Sequence, residues 1–272
     1  MTLSLRAPLD QRIEMDVVAA DRFAGFTARE IAALPVWLGA HATRVGEFFD
    51  IRGERSSRVR IEGSADDLAR IDGLAAAMAG GELLIDGDAG RRVGAGMTGG
   101  RVDVRGNAGD DAGAGMAGGV LWIGGRAGDR LGAATPGASK GMTGGEIVVV
   151  GSAGDEVAAR MRRGLVVVNG EAGADAGRAM IAGTLVVLGR IGSAPGRGNK
   201  RGSIVAIGPA MVPPTYRYAC TFRPPHVRLV LAYLRRRYGL AVDDRALNGH
   251  YRRYCGEAGP PGKGEILQWI GD

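Results

Sequence analysis

The sequence predicts an all-β chain, a β-helix of stacked coils of about 19 residues with short flanking helices. Three periodic features predict it. A methionine returns at a fixed step, two glycines return in phase with it, and a short strand of period two lies between the glycines.

The methionines are Met78, Met97, Met116, Met142, Met161 and Met180, separated by 19, 19, 26, 19 and 19 residues. The long step holds seven extra residues around Thr135 to Lys140, and a seventh unit with Asn199 in place of methionine follows in register. The units span 75–87, 94–106, 113–125, 139–151, 158–170, 177–189 and 196–208. Glycine stands three places after each methionine position (Gly81, Gly100, Gly119, Gly145, Gly164, Gly183, Gly202) and again nine places after it, from Gly87 to Gly208.

Between those glycines two alternate places are apolar in every unit, from Leu83/Ile85 to Ile204/Ala206, so each strand has one buried face. An Ala-Gly pair follows in five units, as in Ala89-Gly90 and Ala108-Gly109, marking a corner for small side chains. One coil alone cannot bury its strand. Stacking at about 4.8 Å gives each strand two neighbours and lines the methionines up in an interior column, with roughly 29 Å of stack for seven coils. A leucine-rich repeat would need a helical stretch and an Asn column, and a propeller blade about 40 residues.

The coils are expected over 59–208, between an N-terminal cap (1–58) and a C-terminal segment (209–272). In the cap, Thr2 to Arg6 reads as an edge strand, and Thr27-Ala28-Arg29-Glu30 is a capping box opening a short helix stopped by Pro35. Val45 to Gly53 and Val59 to Gly63 read as irregular first coils. After the repeats, Pro225 opens a helix over about 225–238, with Val227, Val230, Leu231, Leu234 and Tyr238 on one face and Gly239 ending it. Outward places of the later strands (Val148, Val150, Leu165, Val167, Val186, Leu188, Val205, Ile207) are apolar where Asp86, Asp103 and Arg105 stand earlier. That surface is expected to be shared between the helix and a partner protein.

Glycine makes up 48 of 272 residues without a three-residue period, and 45 % of the chain is hydrophobic, which excludes collagen and disorder. No apolar run is long enough to span a bilayer and no leader is seen, so a cytoplasmic protein is expected. Cys220 and Cys255 are too few for a disulfide framework, and they form no metal motif with His41, His226 and His250. The net charge of +6 and pI near 9.7 favour acidic partners. Aromatics are only 5 % and do not interleave with the basic residues, which argues against nucleic acid.

Gly94-Ala95-Gly96-Met97-Thr98-Gly99 and Gly113-Ala114-Gly115-Met116-Ala117-Gly118 both spell G-x-G-x-x-G, but they recur with the coil and lack the βαβ context of a dinucleotide site. Gly262-Lys263-Gly264-Glu265 reads as a tight turn, not a phosphate loop. Asp110, Asp111, Asp129, Asp155, Glu156 and Asp175 could form a carboxylate row along the stack, as in polysaccharide-cleaving β-helices; beside Arg91, Arg92 and Arg130 a solvated mixed-charge row is the better reading. No catalytic residue or metal ligand is expected. The candidate binding residues are basic: Arg162, Arg163, Arg178, Arg190, Arg197, Lys200 and Arg201, followed by Arg217, Arg223 and Arg228, which suit a groove for an acidic chain.

The unit G-x-x-M-x-x-G-x-[IL]-x-[IV]-x-G, as in Gly94 to Gly106, resembles the repeats of the C subunit of formylmethanofuran dehydrogenase and of the bacterial formyltransferase/hydrolase complex. The tail Arg253-Tyr254-Cys255-Gly256-Glu257, with Gly262-Lys263-Gly264-Glu265-Ile266-Leu267 after it, resembles that subunit's ending; the glycine-rich repeat is also similar to the glutamate synthase C-terminal domain. The resemblance implies a non-catalytic scaffold subunit. Its complex would convert formyl-tetrahydromethanopterin to formate through a formylmethanofuran-type intermediate, with amidohydrolase-like, formyltransferase and molybdopterin-domain-like partners. It further implies contact with the glutamate-rich tail of a methanofuran-type cofactor. Arg and Ala richness favours the bacterial complex over a molybdenum or tungsten dehydrogenase, and a stand-alone β-helical enzyme is the remaining alternative.

Overall fold

The computed structural model describes residues 1–256 and 262–271. Its regular structure is mostly strand, gathered into one 13-stranded sheet and one four-stranded sheet.

The N-terminal cap runs β1 (Thr2–Leu5), β2 (Ile13–Glu14), α1 (Ala20–Phe23), α2 (Ala28–Ala32), β3 (Pro35–Leu38), β4 (His41–Arg44), α3 (Val45–Phe48) and β5 (Phe49–Arg52). Thr27 caps α2 by accepting the Glu30 N–H, while the Glu30 carboxylate accepts the Thr27 N–H at 2.7 Å. Two expectations are corrected here. Thr2–Leu5 is an inner strand, paired antiparallel with β5 on one side and parallel with β6 (Arg58–Glu62) on the other. Residues 45–53 are no coil, because α3 reverses the chain and lays β5 against β1 with Phe49 buried. Residues 59–63 do enter the stack, since Val59 and Ile61 of β6 lie opposite Leu83 and Ile85. After α4 (Ala65–Leu68), β7 (Ile71–Asp72) completes the smaller sheet in the order β4-β3-β2-β7.

Each repeat then contributes one strand: β8 (Glu82–Asp86), β9 (Arg101–Val104), β10 (Val120–Ile123), β11 (Glu146–Val149), β12 (Leu165–Val168), β13 (Thr184–Val187) and β14 (Ser203–Ala206). All pair in parallel with like residues in register, so Leu83, Val102, Leu121, Ile147, Val166, Leu185 and Ile204 form one buried column. Single parallel bridges make a second ladder through Ala89, Ala108, Ala127, Ala153, Ala172, Ile191 and Ala210.

On a third side every second residue is left-handed. Around Met116, Asp111, Gly113 and Gly115 have φ of 60°, 62° and 65°. Their N–H groups point alternately to the following and preceding units: Asp111 donates to Asp129 O, Gly113 to Val93 O and Gly115 to Ala133 O. The recurring G-x-G-x-x-G is therefore backbone geometry, with two of its three glycines at positive φ. Ala75 and Ala158, which replace the leading glycine, keep φ of 59° and 57°.

The six repeat methionines, Met78 to Met180, fill the interior and are all fully buried. Their terminal methyls reach the glycines of the next unit. A Cβ on Gly100, Gly145, Gly164 or Gly183 would stand 2.9, 2.9, 2.8 or 2.8 Å from Cε of Met78, Met116, Met142 or Met161. The missing Cβ is thus the space the methionine occupies, which explains why the two residue types recur together.

Beyond the repeats come β15 (Arg217–Phe222), α5 (Pro225–Tyr238), α6 (Asp244–Asn248), β16 (Tyr251–Cys255) and β17 (Glu265–Trp269). The segment around Gly262-Lys263-Gly264-Glu265 leads into a further rung and is not a tight turn: β17 pairs parallel with β14, Ile266 opposite Ile204, and the Lys263 N–H donates to Lys200 O. Gly264 lies over Asn199, whose side chain accepts the Gly202 N–H at 2.7 Å and donates to Gly202 O at 2.8 Å. Buried polar atoms are thereby satisfied at the point where the methionine column stops. Glu257 of the tail motif lies outside the described residues.

α5 packs on the outward face of the later strands. Val148, Val167, Val186 and Val205 are buried with Val227, Leu231, Leu234, Tyr251 and Leu267. The centre of the apolar surface expected to be shared with a partner is therefore covered by the chain's own helix, and the exposed apolar group has moved to the helix's far side, where Leu229 is 71 % exposed.

Candidate functional site

The repeat fixes where each basic residue stands. Arg162 and Arg163 occupy the two places before the corner of β12, and Lys200 and Arg201 occupy the same places before β14; all four are exposed. Because the strands pair in register, these two pairs are two rungs apart on one corner, about 10 Å. Lys263 continues the column one rung on. Among the described residues none of these five forms an ion pair with a carboxylate.

The other three candidates lie elsewhere. Arg178 and Arg197 stand on the left-handed side and pair with Glu156 and with Asp175, the latter at 2.6 Å. Arg190 follows β13 and pairs with Glu171 at 3.1 Å. The seven residues are thus not one groove. Period alone could have separated the corner residues from the others, since they occupy different phases of the 19-residue step.

The acidic residues divide in the same way. Asp110, Asp129 and Asp155 each accept a backbone N–H from the next unit, those of Asp129, Asp155 and Ala174, at 2.7–3.0 Å. Asp111 accepts both Nε and Nη2 of Arg130, at 2.8 and 2.7 Å. These carboxylates bond successive units to one another and carry an ion-pair row. Among the described residues no group of three or more His, Cys, Asp and Glu side chains is placed to hold a metal ion.

A second polar cluster fastens α5. Glu146, at the start of β11, accepts Tyr233 Oη at 2.9 Å and also the hydroxyl of Tyr238, while Tyr233 and Tyr238 meet edge to face. Burial, then the bond to Glu146, pushes the Tyr238 hydroxyl above its ordinary 10.0. A hydroxyl whose folded pKa is raised stabilises fully below the unfolded value and loses that contribution as pH rises past it. Melting temperature should therefore fall steeply above about pH 10, and Tyr238→Phe should flatten that limb in a pH series of thermal melts. Buried Tyr251, also shifted up by burial, leaves part of the slope in place.

No family model matches the chain. A curated relative, the C subunit of molybdenum-containing formylmethanofuran dehydrogenase 1 from Methanosarcina barkeri, is 38 % identical over 90 residues, covering 31 % of this chain and 29 % of the relative. The C subunit of the formyltransferase/hydrolase complex Fhc from Methylorubrum extorquens is 37 % identical over 92 residues, covering 34 % of each. The matched stretches span about a third or less of these relatives' length. The structural comparison reaches much further. A chain in the crystal structure of the Methylorubrum extorquens formyltransferase/hydrolase complex with methylofuran matches with a TM-score of 0.89 and 36 % identity, over 99 % of this chain and 100 % of that one.

The chain belongs to the C-subunit family of these one-carbon complexes. In this family member the glycine-methionine unit covers only part of the length, so the structural likeness over 99 % of the chain takes in the cap, α5 and the final rung as well. No described helix is long and apolar enough to cross a membrane.

Proposed function

We propose that this chain is a non-catalytic scaffold subunit of a formyltransferase/hydrolase complex that converts formyl-tetrahydromethanopterin to formate through a formylmethanofuran-type intermediate. The observation that carries the reading is the match over the whole chain to a component of a formyltransferase/hydrolase complex. Three ladders per 19-residue unit support the architectural part, a single β-helix from β6 to β17. Along the stack Asp110, Asp129 and Asp155 are bonded to backbone and Asp111, Glu156, Glu171 and Asp175 to arginine, which suits a scaffold whose chemistry resides in amidohydrolase-like, formyltransferase and molybdopterin-domain-like partners. The same surfaces would serve a dehydrogenase subunit, the reading favoured by the 38 % identity to the molybdenum enzyme's C subunit.

Of the seven basic candidates, the corner set Arg162, Arg163, Lys200 and Arg201 suits the acidic tail of a methanofuran-type cofactor best. Guanidinium and ammonium groups that face solvent match carboxylates repeating along an extended chain. Arg178, Arg190 and Arg197 are already balanced by carboxylates of the preceding unit.

Gentle pull-down of the tagged protein from its host, followed by mass spectrometry, tests the assignment. Formyltransferase and amidohydrolase-like subunits without a molybdenum or tungsten subunit support the hydrolytic complex; redox subunits move it to a dehydrogenase, and the bare chain with glycan or nucleotide turnover makes it an independent enzyme. In the assembled complex, Arg162→Glu with Arg163→Glu and Lys200→Glu should weaken cofactor binding about tenfold, more than Arg190→Glu does, by isothermal titration. Equal affinities would remove the corner from the binding path.

A further inference from the structure

The 13-stranded sheet ends on β15, which pairs with β16 alone. Five of its six residues are exposed, on both faces, and Tyr218 is 59 % exposed. Strands left open at a sheet edge are normally guarded by lysine, proline or an inward charge. Here there is a register shift between Tyr218 and Cys220, and beyond it Cys220–Phe222 has none of these guards.

We infer that the open edge of β15 receives an extended, acidic segment of another subunit as an added strand, with an apolar side chain of that segment seated beside Leu229. The inference rests on the subunit reading above. Charge selects the occupant: Arg217, Arg223 and Arg252 are exposed along this ribbon, no carboxylate lies on β15 or β16, and the neighbouring Glu265 is taken up by Arg253 at 2.7 Å and Ser203 at 2.7 Å. A second copy of the chain would bring two basic edges together, at a Coulombic cost that an acidic segment converts to attraction. Past the end of β15 a cleft of about 570 Å³ opens between Pro225, Leu229 and Leu247, with Arg223 and Arg228 at its rim. An apolar anchor held by basic residues completes the site, and main-chain bonds along the edge supply the rest of the affinity.

Cys220 on the open strand is exposed and gives a native reporter, and peptide mapping separates it from Cys255, whose thiol burial pushes up. Maleimide labelling of the isolated chain and of the complex purified from its host should show Cys220 protected about tenfold or more on assembly, together with slowed amide exchange across 217–222. Arg217→Glu with Arg223→Glu should weaken capture of the other subunits about tenfold while leaving the melting temperature of the isolated chain unchanged. Equal Cys220 labelling in the complex, or wild-type capture by the double variant, overturns the inference and leaves the subunit reading standing. Protection of Cys220 in the isolated chain at raised concentration identifies a second copy as the occupant and also overturns it. A wild-type chain that captures no other protein of the complex overturns the subunit reading itself, and this inference with it.

Discussion

Gly145→Ala is expected to lower the unfolding free energy by about 2–4 kcal/mol, seen as a fall in the urea midpoint at constant slope. Two effects add. The residue sits at φ 86°, where an L side chain is strained, and its Cβ would stand 2.7 Å from Gly119 O and 2.9 Å from Met116 Cε. The first contact is with backbone that is itself hydrogen-bonded into the rung, so it cannot relax without moving a neighbouring strand. A cost below about 0.5 kcal/mol, the size of an ordinary surface substitution, would show that the rungs slide freely and that the glycine column is not a steric requirement.

Met116→Ala is expected to cost about 2–5 kcal/mol, and Met116→Leu less than about 1.5 kcal/mol, because the first opens a cavity inside the stack and the second conserves volume. Met116 is fully buried, and its neighbours on both sides are rungs fixed by strand pairing, so collapse around the gap is limited. The two sites should couple. In the Met116→Ala background Gly145→Ala loses its clash with the methionine methyl but keeps the one with Gly119 O, so the double variant should be less destabilised than the sum of the singles. Denaturant melts of the four proteins provide the cycle, and strict additivity would mean that methionine and glycine do not share that space.

Much of this was legible because a rung is a local pattern. Alternation at Leu83/Ile85 and its repeats marks the buried face, and Pro225 and Gly239 bracket α5, each signal lying within a few residues of what it specifies. What escaped depends on long-range pairing. Nothing between Val45 and Gly53 announces that α3 turns the strand back against β1, and the Gly262-Lys263-Gly264-Glu265 stretch reads as a turn until the strand it leads into is placed on β14, more than fifty residues earlier in the chain. At the candidate site composition shows basic residues, but whether each is free or matched depends on the carboxylate one unit away, as with Arg197 and Asp175. The phase of the repeat holds part of that answer, because Arg178 and Arg197 share one phase while Arg162 and Lys200 share another.

The outward residue at the middle of each strand changes character along the stack, from Leu84, Asp103 and Trp122 to Val148, Val167, Val186 and Val205, and α5 is seated on the second group, with Trp122 at the margin of the same cluster and Tyr233 and Tyr238 pinned to Glu146. A unit gained or lost before β10 would move the N-terminal cap by about 5 Å and leave that seat untouched. One gained or lost after β11 would carry the valines away from the helix that covers them. The early half of the stack is thus a spacer whose length evolution can adjust, and the later half a platform whose length is fixed.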